Sequence, residues 1–218
     1  FAKDWQSFFS GRADEYLKAP SNSVRTNWFY KAMSLTLVWT PEFTSDNYIN
    51  GERFSKTSSQ LSSQNQAYFP KLNVWGVSAI TAFKGGIFNA EYASYNSTEN
   101  SQGMDNMLAN GQHRLLIGYE REVAKNLTAS MQYYLERTKH YQALKANSQT
   151  PDQLVAENRH LLTLRLNYRA LRQTLTYSMF AFYSPSDKDG YLKPSINYQY
   201  NDQWLFSTGA NVFLGKNE

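Results

Sequence analysis

The sequence predicts an all-β protein: an antiparallel up-and-down transmembrane β-barrel with about ten strands in this chain, either complete or part of a larger barrel. Two observations carry this prediction. Long runs alternate apolar and polar residues, as expected for a strand with two different faces. Short turns also alternate with long polar loops between these runs, which is typical of barrels in outer membranes. Most runs are about ten residues long, the length of a tilted strand that crosses a bilayer, whereas soluble strands average nearer five or six.

Five hairpins account for the pattern over residues 23–218, which we assign to the barrel domain. The predicted strand pairs are 23–30 with 33–40, 72–83 with 87–97, 112–122 with 127–140, 157–169 with 174–183, and 191–200 with 203–214. Longer polar loops are predicted at 41–71, 98–111, 141–156 and 184–190. Residues 1–22 show no clean alternation, so they form an N-terminal segment of undefined structure.

Three local features refine this picture. Aromatic residues beside the short turns, such as Tyr30, Phe83 and Tyr168, predict a girdle at a membrane interface. The Ser/Gln-rich loop 41–71 is either a surface loop or a segment that folds into the pore and narrows it. Pro194 lies inside a predicted strand and cannot donate to the ladder, which implies a bulge or a position near the outer rim.

Composition excludes several classes of protein. The 218 residues carry 22 basic and 18 acidic side chains, a net charge of +4 without any Lys/Arg-rich run, so no nucleic-acid partner is expected. Mean hydropathy is −0.61, and no apolar run approaches the ~20 residues that a membrane-spanning helix needs. A membrane barrel passes this test because only every second residue meets lipid. The absence of cysteine excludes disulfides and thiolate metal sites.

The polar face of the strands is the candidate functional surface. Strand parity predicts that it lines the lumen with Arg25, Glu91, Arg114, Glu120, Glu136, Arg159, Arg165, Arg169, Lys193 and Asn197. Charges on a pore wall select solutes by sign, so we hypothesise that Arg114, Arg159, Arg165 and Arg169 favour anionic solutes. The alternative is that a barrel lumen is polar in any case and these charges pair across it.

Catalysis, cofactors and metals are not predicted. The three histidines are His113, His140 and His160, and the acids nearest to them in the expected loops are Asp152, Asp187 and Asp189. Some outer-membrane barrels are proteases or lipases, but no spacing here guarantees a base within hydrogen-bond reach of a partner. The chain also contains no G-x-S-x-G, H-E-x-x-H or P-loop motif. We therefore assign no catalytic, cofactor-binding or metal-binding residue.

Two stretches carry a family likeness. The segment VRTNWFYKAMSLTLVWTPEF resembles a hairpin of Gram-negative outer-membrane porin-like barrels, and DGYLKPSINYQYNDQWLFSTGANVFLG is similar to their penultimate strands. The resemblance implies a larger barrel in the outer membrane, with an aqueous lumen for uptake or export. Such proteins usually end on a strand with a terminal aromatic residue, whereas this chain ends at Gly215–Glu218. We therefore expect strands beyond those seen here.

These observations predict a porin-like channel for small polar or anionic solutes, with the lipid bilayer of the outer membrane as its surroundings. Its oligomeric state and protein partners are left open. One alternative is an outer-membrane binding or scaffold barrel with a plugged lumen. Another is a soluble lipocalin-like barrel, which would turn the apolar face with Leu162, Leu164, Leu166 and Tyr168 inward rather than outward.

Overall fold

The chain forms a single antiparallel sheet in which the strands lie in sequence order, except that the short last strand pairs with the strand two before it. The computed structural model describes residues 22–41, 71–105, 107–148, 151 and 154–215. The strands are β1 Val24–Tyr30, β2 Met33–Thr40, β3 Leu72–Phe83, β4 Gly86–Ser97, β5 Gln112–Ala124, β6 Leu127–Thr138, β7 Asn158–Ala170, β8 Leu175–Ser184, β9 Asp189–Gln199, β10 Leu205–Gly209 and β11 Val212–Leu214. The predicted all-β, up-and-down architecture is confirmed. Within the described ranges the sheet is open, because β1 does not pair with β10 or β11.

Cross-strand partners point to the same side of a sheet, so the register divides the strands into two faces. The face that we call the apolar face carries in its central part Leu35, Leu37, Val77, Ala79, Ala90, Leu115, Ile117, Met131, Leu162, Leu164, Leu166, Met179, Ala181 and Leu192. The opposite side, which we call the polar face, carries most of the charged strand residues. The predicted N-terminal segment and the pore-narrowing function of loop 41–71 fall almost wholly outside the described residues.

Successive hairpins close at positions that shift regularly along the sheet. The row of partners through Tyr30 and Met33, where the first hairpin closes, crosses the second hairpin at Thr81 and Phe88. The second hairpin closes two residues beyond that row. The same shift is seen on the odd-numbered strands of the later hairpins. On β7 and on β9, the pair that closes the hairpin lies two residues beyond the row in which the preceding hairpin closes, and only β5, which contains a bulge, departs from this step. Two residues of rise over two strand spacings correspond to a strand tilt of about 35° when the turns lie level.

A β-bulge in β5 keeps the two faces in register across the third hairpin. Ala124 pairs with Leu127, but the register shifts between Glu122 and Ala124, so Val123 has no partner. If Val123 were paired with Thr128 instead of bulged, the pairing would slip by one and place the apolar residues of β5 opposite the polar ones of β6. The bulge instead sets Leu115 opposite Leu135.

Pro194 interrupts the sheet without shifting its register. The amide of Ala210 donates to the Pro194 carbonyl at 3.1 Å, but Pro194 has no N–H to return the bond, and the last strand divides here into β10 and β11. The pairs Ser195–Gly209 and Leu192–Val212 lie three residues apart on both strands, so the register is kept. Both predicted alternatives at Pro194, a bulge or a position near the outer rim, are therefore wrong, because the register continues and Pro194 pairs with Met179 inside β8. The proline removes one bond toward the edge strand.

The connections at the loop end differ from the prediction in two places. The polar loop expected at 184–190 is a four-residue turn between Ser184 and Asp189, held by a Lys188 amide to Ser184 carbonyl bond of 2.8 Å. The loop expected at 141–156 contains a short helix, α1, over Tyr141–Asn147. In the described part of the chain, no helix has the length and apolarity needed to cross a membrane.

Candidate functional site

The apolar face exposes large hydrophobic side chains rather than burying them. Trp28 is 55% exposed, Met131 57% and Phe206 54%, although they lie on strands at opposite edges and in the middle of the sheet. Soluble monomers rarely expose contiguous apolar patches beyond a few hundred Å². An exposed apolar face that extends over ten strands is therefore expected to contact an apolar solvent or a partner surface.

Aromatic residues border the apolar face at the end where the hairpins turn. Tyr30 stacks on Trp28 with ring centroids 6.0 Å apart, and Tyr168 stacks on Tyr177 at 6.3 Å. The Tyr119 hydroxyl donates to the Phe83 carbonyl at 3.1 Å, which fixes its ring edge-on to that of Phe83. This turn-end belt follows the hairpin turns across the sheet, in the place where a girdle was predicted.

A second aromatic belt, which the sequence analysis missed, borders the apolar face at the loop end. Trp39 and Trp75 are cross-strand partners whose rings stack at 5.1 Å. The Tyr92 hydroxyl shares a hydrogen bond of 2.6 Å with His113 Nδ1, and the two rings stack at 5.9 Å. The same diagonal pairing recurs two strands further on, between Tyr133 and His160.

The two belts enclose an aliphatic band of nearly constant height. On β3 the loop-end belt lies at Trp75 and the turn-end belt at Phe83, and on β7 they lie at His160 and Tyr168, so on both strands the belts are eight residues apart. Eight residues rise about 26 Å along a strand. At the tilt derived above, the band is about 22 Å tall, close to the apolar band of roughly 25 Å in membrane barrels.

The polar face collects every residue predicted to line a lumen. The register places all ten on this side of the sheet: Arg25, Glu91, Arg114, Glu120, Glu136, Arg159, Arg165, Arg169, Lys193 and Asn197. Their shared face is a property of the sheet, while their lining of a lumen stays a prediction. Arg25 donates to Asn27 Oδ1 at 3.1 Å, and Asn197 lies between Thr176 and Ser207.

Arg114 belongs to a hydrogen-bonded cluster near the loop end of the polar face, in the same cross-strand row as Glu136 and Arg159. Its Nε lies 3.3 Å from Glu136 Oε2, and its guanidinium carbon lies 4.4 Å from the centre of the Tyr95 ring. Gln112 Nε2 and the Tyr134 hydroxyl each donate to Glu136 at 3.1 Å. Both charges of this pair are therefore satisfied. The cluster borders a cavity of about 310 Å³, which Glu91 also lines.

Arg159 is paired as well, at the loop end of the same face. Its Nε donates to Asp187 Oδ2 at 2.7 Å, and the Ser184 hydroxyl, whose residue is fully buried, donates to the same oxygen at 2.7 Å. Hydrogen bonds from Arg159 and then from Ser184 hold the pKa of Asp187 below its usual value. The short turn after β8 is thus clamped onto β7.

Three cations on strands β7 and β9 differ from these two arginines. Arg165, Arg169 and Lys193 are exposed, and within the described residues none of them pairs with a carboxylate. The acids Glu91 and Glu120, likewise without a salt bridge there, lie on β4 and β5. The charges are not fully separated across the sheet, because Arg25 on β1 and Asp189 on β9 are also outside the salt bridges of the described residues. Two of the four arginines in the anion hypothesis are neutralised, and the other two are not.

The histidines are not arranged with the acids that were considered for catalysis. His113 and His160 lie on the apolar face, hydrogen-bonded to tyrosines, and His140 is the turn residue before α1. The Asp187 carboxylate bonds Arg159 and Ser184, and Asp152 lies outside the described residues. The absence of catalysis stays a prediction.

Parity could have identified several contributors to the polar face that the sequence analysis did not name. Tyr95, Tyr134 and Phe180 fall on the polar side of their strands, but the prediction named only charged and amide side chains for this face. Gln112 lies two residues before Arg114 on the same face, and both Arg114 Nε and Arg114 Nη2 donate to Gln112 Oε1, at 3.1 and 2.6 Å. That spacing is a signal that a sequence can show.

The lowered pKa of Asp187 leads to a prediction about acid stability. A carboxylate with a depressed folded-state pKa stabilises the fold fully above its ordinary pKa of about 3.9, and this contribution is lost as pH falls through the depressed value. In Asp187→Asn this acid-dependent loss should be absent, and stability at neutral pH should drop by about 0.5–1 kcal/mol, typical of a partly exposed ion pair. Urea unfolding of the folded protein between pH 7 and pH 2 measures both effects.

Asp202→Asn is the control for this titration, because Asp202 lies exposed in the last turn, and no ion pair of the described residues includes it. It should follow the wild-type curve. Equal acid sensitivity in wild type and Asp187→Asn would contradict the assignment of the effect to the Arg159–Asp187 pair.

A scan of the sequence against models of known protein families finds no match, and a search of curated proteins finds none either. Membership of the porin-like family is therefore not assigned, and that resemblance stays a prediction.

Proposed function

We propose that this sheet is the wall of a transmembrane β-barrel whose polar face lines an aqueous channel for small polar or anionic solutes. The observation that carries the proposal is the apolar face, with its aliphatic band between two aromatic belts. Lipid chains would cover the band, and the tyrosine and tryptophan rings would lie at the two interfaces. The Gram-negative outer membrane is the location that this architecture favours.

The regular shift of the hairpins supports closure into a barrel. A closed barrel requires strands that are tilted and staggered together, and transmembrane barrels have tilts of about 35–45°. The two-residue step per hairpin agrees with the lower end of that range. Ten sequential strands also place β1 and β10 in antiparallel directions, so they could pair directly or through further strands.

Polar side chains on the inner side would keep the lumen wet, and their charges would set its preference among ions. Because Arg114 and Arg159 are paired, the selectivity for anions should come from Arg165, Arg169 and Lys193. This narrows the four-arginine hypothesis to the two arginines without a carboxylate partner and adds the neighbouring lysine.

Planar-bilayer recording tests the channel and its selectivity together. Purified protein should give stepwise conductance, and in a salt gradient its reversal potential should favour chloride over potassium. Arg165→Ala/Arg169→Ala should shift the reversal potential toward cation preference, because two uncompensated positive charges leave the pore wall. A protein that inserts into the bilayer but never conducts ions would contradict the channel proposal.

The matched control is Arg114→Gln/Glu136→Gln, which removes both charges of one ion pair and leaves the net charge unchanged. Its reversal potential should stay close to that of the wild type. A shift as large as that of the Arg165/Arg169 double variant would show that paired and unpaired charges contribute alike, against the assignment made here.

A further inference from the structure

One row of the polar face places an aromatic ring between two free cations. Arg165 on β7, Phe180 on β8 and Lys193 on β9 are consecutive cross-strand partners. The Arg165 guanidinium carbon lies 5.9 Å from the centre of the Phe180 ring. Two strand spacings separate the backbones of the two cations by about 10 Å, so their long side chains can converge above the ring between them.

The surroundings of this row are aromatic on one side and hydrogen-bonding on the other. Toward the loop end, Tyr191 lies 6.2 Å from Phe180 and 5.1 Å from Phe213, both measured between ring centroids. Toward the turn end, the neighbouring row is formed by Ser178 and Ser195. Other aromatic rings lie on the polar face, such as Tyr95 and Tyr134 beside the paired Arg114, but the rings of this cluster adjoin two cations that form no salt bridge among the described residues.

The charge around the row is positive. Glu120 is the acid in the same row, but it lies on β5, with Ser130 between it and Arg165. That separation is again two strands, about 10 Å between the backbones, and no salt bridge of the described residues joins Glu120 to Arg165. Asp189 is on the same strand as Lys193, four residues toward the loop end, about 13 Å away.

From this juxtaposition we infer a binding site for aromatic carboxylates, formed by Arg165, Lys193 and the Phe180–Tyr191–Phe213 cluster. The carboxylate accepts charge-assisted hydrogen bonds from the guanidinium and the ammonium, and the planar ring packs against the aromatic cluster. This inference rests on the proposed channel function. It adds the class of solute, aromatic carboxylates, that would bind to the polar face of the sheet.

Binding can be measured without conduction, on the folded protein in detergent micelles. The probe is 4-fluorobenzoate, observed by fluorine NMR line broadening. Trifluoroacetate supplies a carboxylate without a ring, and 4-fluorobenzyl alcohol supplies a ring without a carboxylate. Saturable broadening is expected for 4-fluorobenzoate alone, since it alone satisfies both halves of the site.

Variants assign the binding to these residues. Lys193→Gln and Arg165→Gln should each weaken 4-fluorobenzoate binding about tenfold, because each loses a hydrogen bond to a charged group. Lys193→Arg keeps the charge and should bind within about twofold of wild type, which separates charge from folding. Lys145→Gln removes a cation on helix α1, far along the chain from the row, and should change nothing.

Three results would overturn the inference: equal broadening of 4-fluorobenzoate and trifluoroacetate, undiminished binding in Lys193→Gln, or equal loss in Lys145→Gln. The channel proposal fails separately. Protein that binds 4-fluorobenzoate but does not conduct would keep the site and remove the channel. Protein that conducts without binding it would keep the channel and remove the site.

Discussion

Leu164→Arg is expected to destabilise the bilayer-embedded protein by about 2–4 kcal/mol, the range for a basic residue on the lipid face at the bilayer midplane. Leu164 lies on the apolar face of β7, midway between His160 in the loop-end belt and Tyr168 in the turn-end belt. Its cross-strand neighbours are Met131 and Ala181, so no polar group is at hand to receive the guanidinium. Urea unfolding of the protein folded into phospholipid vesicles, followed by tryptophan fluorescence, measures the change.

The adjacent residue offers the matched control. Thr163 is on the polar face of the same strand, between Gln132 and Phe182, so Thr163→Arg should change the free energy of unfolding by less than about 1 kcal/mol. The opposite outcome, with a large loss for Thr163→Arg and a small one for Leu164→Arg, would mean that the polar face is packed and the apolar face is not in lipid. That result would contradict the membrane orientation.

The strands and their faces could be predicted from the sequence because the alternation is long. A period of two that persists over eight to thirteen residues fixes both the strand and the side of every residue in it. The predicted starts of β3 and β5 at Leu72 and Gln112 coincide with those in the structure. For the same reason, all ten candidate lumen residues lie on one face.

What could not be predicted depends on contacts between segments. The turn after β8 is short because Ser184 and Arg159 both bind Asp187, and a Pro-Ser-Asp-Lys stretch alone is equally compatible with a longer loop. The pairing of Arg114 with Glu136 depends on the unpaired Val123, because a hairpin without that bulge would set Arg114 opposite Arg137. Parity gives the face of a charge, whereas the register decides its partner.

The second aromatic belt was missed for a related reason. His113 and His160 were considered as catalytic candidates, since histidine is the residue most often used for proton transfer at neutral pH. Each is instead a diagonal neighbour of a tyrosine on the apolar face, and the hydrogen bond between the two rings appears only once β4 is aligned with β5, and β6 with β7.

Outside the strands, the loop between β4 and β5 depends on one buried side chain. Asn100 is 5% exposed, and its amide nitrogen lies 2.8 Å from the Asp105 carbonyl, 3.1 Å from the Leu108 carbonyl and 2.9 Å from Asn110 Oδ1. Its oxygen accepts from the Asp105 amide at 3.2 Å. Asn110 in turn donates to the Lys139 carbonyl at 2.9 Å, which attaches the loop to the turn after β6.

Lys139 extends this polar network onto the sheet beyond the loop-end belt. Its ammonium donates to Ser94 at 2.9 Å and also to Asn96, and burial lowers the pKa of Lys139 below its usual value. These hydrogen bonds attach the loop between β4 and β5 to the loop end of the sheet.

Asn100→Ala should loosen the loop between β4 and β5 while leaving the strands intact. Alanine leaves the part-buried Asp105 amide and the carbonyls around it without their Asn100 partner. An unsatisfied buried group costs about 1–3 kcal/mol, so the free energy of local opening of this loop should fall by about that amount. Amide hydrogen exchange of residues 98–110 should then rise roughly tenfold or more, with the exchange of β5 and β6 unchanged.

Gln102→Ala is the control for this loop, because it also removes a side-chain amide from the same segment, but Gln102 is exposed. Its exchange should stay within about twofold of wild type, since an exposed amide that is lost leaves no buried group unsatisfied. Unchanged exchange in Asn100→Ala would contradict the central position of Asn100. Faster exchange throughout β5 would show instead that the loop supports the whole sheet, because the strands would then open together with it.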